Sequence, residues 1–319
     1  MNALIWRLHG NQAYVAGAAL AALTCLLLFT GIAMAHDYHA FLASCGTTRS
    51  CGDATQTLFH GDGAITTLVD ATMAVPLLLG VFWGAPLLAR EFEIGTHNLA
   101  WTQGVTRRGW LSRNVLWALA AAAALGAATA VLVSWWRGPE NAVGVPVRLA
   151  TFTFDIQGIV PAAYSVFAVA LGIAAGSIFK RVLPAMAVTL AAFAGLRFLI
   201  AEYARPRYLT AIPRLLPPFS SNRAAPAGSW VLSNATLGPN GRNYTAGISF
   251  QDTPAACRSP GQQSAQLNSC LSSHGFHTLI TYQPASRFWA LQGIEAGIFI
   301  SLATALIILA YRVVLTRDA

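Results

Sequence analysis

The residues best placed to do chemistry lie in one polar stretch, Arg90 to Trp110. It holds two carboxylates, three arginines and two tryptophans in a chain that is only 10% charged. Glu91 and Glu93 stand at the end of an apolar run, where a carboxylate is costly without water or a partner. Gly95 interrupts any helix leaving that run, and Thr96 or Asn98 can cap a following short one. Such a piece, charged and aromatic, suits either a membrane-surface loop or a docking handle for a soluble partner. A second group consists of charges inside or near apolar segments: Asp70, Arg197, Glu202 and Glu295. Arg197 and Glu295 fall at matching depths and are expected to pair, more as a structural clamp than as a proton or substrate site. His36/His39 and His274/His277 have ligand-like spacing, but neither pair gains the third and fourth ligands of a tetrahedral site. No metal is expected. Zincin and nucleophile-elbow signatures are absent from the sequence, and no catalytic residue is expected. The only lysine, Lys180, lies between Phe179 and Arg181, so there is no P-loop. Any ATP-driven work needs another polypeptide.

These residues need elements to hold them, and composition says which. The 319 residues are 55% hydrophobic, and the mean hydropathy is +0.53. Soluble domains carry about a quarter charged residues. The chain is therefore all-α and polytopic, with six apolar segments long enough to cross about 30 Å of hydrocarbon: 13–35, 66–89, 114–136, 156–179, 183–203 and 288–311. Residues 1–12 read as an amphipathic interfacial helix. Residues 204–287 form a long polar segment whose periodicity is too weak to assign elements. The formal net charge of +8 comes from basic residues scattered between spans, which argues for headgroup contacts and topology and against nucleic acid. With the N-terminus inside, the inner segments carry Arg7, Arg90, Arg107, Arg108, Arg113, Lys180, Arg181, Arg312 and Arg317. The short outer loops carry only Arg49, Arg137 and Arg148. Both termini then face the cytoplasm. Cys45, Cys51, Cys257 and Cys270 fall in the two outer regions and Cys25 within a span. Pairing within each loop is the simplest connectivity; free thiols or a cross-loop bridge are the alternatives. Asn234-Ala-Thr236 and Asn243-Tyr-Thr245 fit the N-glycosylation pattern.

The run Glu91-Phe-Glu93-Ile-Gly95-Thr96, followed by Leu99-Ala-Trp101-Thr-Gln103 and Arg107-Arg108-Gly-Trp110, resembles the intracellular signature of type-2 ABC exporter permeases, in the form found in high-GC actinobacteria. Tyr282-Gln-Pro-Ala-Ser-Arg-Phe-Trp289 is similar to the lead-in to that family's last membrane helix. In a bacterial relative the two glycosylation patterns are coincidental.

The resemblance implies a six-helix permease, half of a dimeric transporter, in the plasma membrane. The element 90–110 is then a coupling helix that docks on a soluble ATPase subunit, which alone binds ATP and magnesium. Glu91, Glu93, Gly95 and Thr96 would shape the transmission element, and Trp101, Gln103, Arg107 and Arg108 would touch the ATPase. Phe82, Trp83, Phe193 and Phe198, on the second and fifth spans, are candidates to line the cavity between protomers. The implied activity is export of an amphipathic small molecule: a drug, antibiotic, peptide or lipid. The resemblance does not reach most of residues 204–287, whose length and cysteine pair suggest a small extracellular cap. A non-transporting membrane sensor or scaffold, binding a ligand through that cap, is the competing class. A secondary transporter would usually show internal repeats, and none is evident.

Overall fold

The computed structural model describes residues 2–45, 63–94, 106–143, 147–244, 248–249, 251–258 and 264–317. Six of its helices are long and apolar enough to cross a membrane. They are α1 (Asn2–Cys45), α2 (Gly63–Ile94), α3 (Arg107–Trp136), and, after the short α4 (Gly138–Val143) and α5 (Thr151–Ile156), α6 (Val160–Phe179), α7 (Val182–Arg207) and a last long helix. Between α7 and that last helix lie β1 (Ile212–Leu216), β2 (Trp230–Leu237), β3 (Asn243–Tyr244), α8 (Ser264–Ser273) and β4 (His277–Gln283). The last helix is α9 (Phe288–Arg317).

α2, α3, α7 and α9 all pack against α6, and α1 packs on α3. α6 carries no charged residue and is apolar on every side, which is the pattern of a fully enclosed helix. Small residues let its neighbours approach. A Cβ on Gly80 would meet the Ala168 carbonyl oxygen at 2.6 Å, and one on Gly172 would meet Ala85 N and Gly80 O at 2.5 Å. One on Gly126 of α3 would meet Ser165 Oγ at 2.5 Å. Close backbone contact of this kind replaces the hydrophobic drive that helices lose in lipid. α2 is not uniform: a 3-10 turn at Thr72–Ala74 and a π turn at Gly80–Gly84 interrupt it. The π turn lies where α2 crosses α6. α7 has its own π turn at Ile200–Ala204.

The segment left unassigned by periodicity is a four-stranded antiparallel sheet, in the order β1-β4-β2-β3. It is a small addition to a mostly helical molecule. β4, one of the two inner strands, leads through Pro284 and a 3-10 turn directly into α9. The sheet is fixed to the bundle by Gln283 Nε2, which donates to the Leu209 carbonyl at 2.7 Å, and by Arg287, which donates to the Thr210 carbonyl at 2.6 Å. Cys257 and Cys270 are joined in a disulfide that closes the loop before α8. Cys51 and the side chain of Cys45 lie outside the described residues, as do Gly95, Thr96, Trp101, Gln103 and the side chain of Arg107.

Candidate functional site

At the sheet end of the bundle four charges are buried together. Asp155, the next-to-last residue of α5, receives Arg197 Nη2 at 2.7 Å on one oxygen and Arg205 Nη2 at 2.5 Å on the other. Arg205 also grips Glu295 of α9 with two donors, at 2.8 Å and 2.6 Å. The Tyr164 hydroxyl donates to Glu295 and accepts from Arg205 at 3.1 Å. Arg205 and Glu295 are fully buried, and the Arg205 guanidinium lies 4.3 Å over the Phe154 ring. Two cations balance two anions, so the cluster is neutral and the cost of desolvation is met by direct, partly bidentate pairing.

The expected Arg197–Glu295 pair is therefore a correction. Both residues belong to one cluster, but Arg197 pairs with Asp155 and Glu295 with Arg205. The reason lies in α7. In a regular helix, positions eight apart are about 80° out of line. The π turn at Ile200–Ala204 absorbs one residue and brings Arg205 back onto the face of Arg197. Asp155 escapes the sequence reading because it precedes the apolar run and looks like the end of a loop. Arg205 escapes because Pro206 looks like the end of the span. An arginine just inside an X-Pro helix end, eight residues from another arginine, was the available signal.

The same end holds a second charged set, with Arg137 and Glu140 buried and Asp70 partly exposed. Arg137 reaches Asp70 at 2.5 Å and Glu140 at 2.8 Å. Burial pushes the Glu140 carboxyl above its ordinary value, and the adjacent Arg137 opposes that shift. Gln292 completes the framework: its amide oxygen accepts from Ile159 N and Val160 N, and its nitrogen donates to the carbonyls of Phe154 and Gln157. One side chain thus satisfies orphan backbone groups at the facing ends of α5 and α6. Gly158, at φ +73°, permits the turn between them, and a Cβ there would meet Gln292 Oε1 at 2.7 Å.

The opposite end carries the other expected residues. Glu91 and Glu93 occupy the last turn of α2, Glu93 exposed and Glu91 half-buried. Glu93 Oε2 accepts from the backbone N–H of Val182 at 3.0 Å. Val182 is the first residue of α7, so the carboxylate caps that helix. Beside it the Lys180 ammonium lies 5.4 Å from the Phe92 ring centroid. Across the undescribed part of the stretch, Thr106 caps α3 by accepting from Gly109 N at 3.2 Å, and Arg108 is exposed.

Of the four aromatic candidates for a cavity, Phe82 and Phe198 are each 60% exposed. Trp83 and Phe193 are buried inside the protomer, which corrects their assignment. Trp83 packs edge-on against Trp117, and Phe193 against Tyr164 and Phe167. Every position on these apolar helices favours an aromatic equally, so composition carries no sign of which face is inward. His274 and His277 do not converge. His274 Nδ1 lies 3.7 Å and 3.9 Å from the two disulfide sulfurs, while His277 is exposed on β4.

Six apolar helices, packed through small residues and with their buried charges held in direct pairs, define a multi-pass membrane protein. A family described as ABC-2 membrane transporter related matches residues 17–205. That is more than half of the chain, from the first span through Arg205, and the protein belongs to this family. No curated protein and no solved structure matches it.

Proposed function

We propose that the chain is the permease subunit of an ATP-driven exporter, working as a pair of permeases with a soluble ATPase on the cytoplasmic face. The observation that carries this reading is the family match, which runs through five spans and the Glu91–Arg108 stretch. The match lies in the spans and not in the sheet, which favours transport over ligand sensing. With no P-loop in the sequence, ATP and magnesium belong to the partner subunit. In this reading the α2–α3 end faces the cytoplasm, the sheet lies outside the plasma membrane, and both termini are inside, in accord with the distribution of arginines. Cargo is an amphipathic small molecule, and the exposed Phe82 and Phe198 belong to the surface that meets it or the second protomer.

The test is ATPase turnover of the purified complex in lipid, comparing wild type with Glu91→Ala and Arg108→Ala. Co-purification of the ATPase is expected, with drug-stimulated turnover lost in both variants at unchanged permease abundance. If no ATPase associates, or both variants match wild type, the exporter reading fails.

A further inference from the structure

We infer that Glu93 is a positioning residue that makes the end of α2 and the start of α7 move as one body. The inference rests on the exporter reading, and concerns how a push on the stretch after α2 is delivered.

Three observations carry it. The first is the cap itself: Glu93 belongs to α2, yet its carboxylate serves the N-terminus of α7, 89 residues later. Val182 N is one of the helix-start donors that lack an intrahelical partner, so this bond is the backbone group's own satisfaction. The second is the packing beneath the cap. Ala85 and Ala89 of α2, Ala175 of α6 and Ala185 of α7 form one buried cluster, flanked by Val182 and Met186. A Cβ on Gly176 would meet the Ala85 carbonyl oxygen at 2.7 Å, so the backbones there already touch. Short side chains have no rotamers with which to absorb a displacement, and a shift of α2 passes to its neighbours. The third is the turn between α6 and α7. Lys180 sits at φ +53° beside Phe92, and Arg181 is extended, a sharp corner leaving little slack between the two helices. The cap, the alanine cluster and the corner together join α2 to α7 at the end where the coupling element begins.

The geometry also supplies a clean substitution. Val182 is the first helical residue and Arg181 before it is extended. Proline is well tolerated at a first helical position after an extended residue, and it has no N–H. Val182→Pro therefore deletes the donor and keeps the helix. Glu93→Ala deletes the acceptor, and Glu93→Gln keeps one.

The experiment places genetically encoded spin labels at Arg90 and Arg181, both exposed, in the full permease–ATPase complex in lipid. Distance distributions are recorded without nucleotide and after trapping with ATP and vanadate. In the native background the Arg90–Arg181 distribution should be the same in both states. In Val182→Pro and in Glu93→Ala it should differ between states by more than the width of the native distribution. Glu93→Gln should behave as native, and the double variant should be no worse than either single one, because both remove the same bond. A native distance that changes on trapping overturns the inference, and so does a Val182→Pro complex indistinguishable from native. If Val182→Pro does not accumulate, the contrast between Glu93→Ala and Glu93→Gln decides, identical behaviour of the two overturning the role of the acceptor. An ATPase that never associates removes the exporter reading, and the role of the tie with it.

Discussion

The two ends of the bundle are held in opposite ways. At the sheet end, Asp155, Arg197, Arg205 and Glu295 tie α5, α7 and α9 together through buried ion pairs, and Gln292 locks the turn between α5 and α6. At the other end, α2, α6 and α7 meet through alanine and glycine, with one exposed carboxylate cap. Buried pairs are costly to break, because separation strands a charge in a low-dielectric interior. Contacts between small side chains have no such directional penalty and can slide or tilt as a unit. The sheet end resists separation through its charges, and the other end through close backbone contact. A displacement applied at the second end would therefore turn the helices about the first.

The sheet end is most vulnerable at Arg205. Arg205→Met leaves Glu295 buried without its cation and should cost about 3–5 kcal/mol, read as a fall in thermal midpoint and membrane abundance. Arg205→Met with Glu295→Met should be milder than Arg205→Met alone, since Asp155 keeps Arg197 and no charge is left over. If the double variant is worse, charge balance is not what holds this end. Removing the Cys257–Cys270 bridge by a double serine substitution should cost the sheet about 3 kcal/mol, measured as faster proteolysis between β3 and α8. The bundle's thermal midpoint should change little, separating the clamp from the sheet that covers it. Gly158→Ala forces a Cβ into Gln292 at positive φ and should destabilise by about 1–3 kcal/mol. Its effect should add poorly to that of Gln292→Ala. Smallest in stability is Glu93→Ala, at about 1 kcal/mol for an exposed cap. A large loss of stability there would mean that the second end is as firmly fixed as the first.

The spans were legible because the membrane imposes them: a run of about 20 apolar residues has few alternatives. Glu91, Glu93 and Arg108 were legible as a polar interruption between two such runs. The charge pairing was not, because it depends on a π turn that shifts the α7 register by one residue, and on a short helix hidden ahead of a span. Nor was the sheet. β4 pairs with β1 62 to 70 residues upstream, and β2 is irregular between Val231 and Ser233, which spoils the alternation that would have marked it. Trp83 and Phe193 show a third kind of failure. In a chain where both lipid-facing and core-facing surfaces are apolar, hydrophobicity no longer points inward.

The position of β4 carries a consequence for how the protein is made. It is an inner strand, pairing with both β1 and β2, yet the last of the four to leave the ribosome, immediately ahead of α9. Until it emerges, β1 has no strand to pair with and β2 has only β3, and until α9 follows, Arg205 waits for Glu295, 90 residues later. Sheet closure and completion of the charge cluster thus depend on neighbouring parts of the chain, β4 and the start of α9. A nascent chain stalled before β4 therefore holds Arg197 and Arg205 against Asp155 alone, one positive charge in surplus at the sheet end of its five long helices.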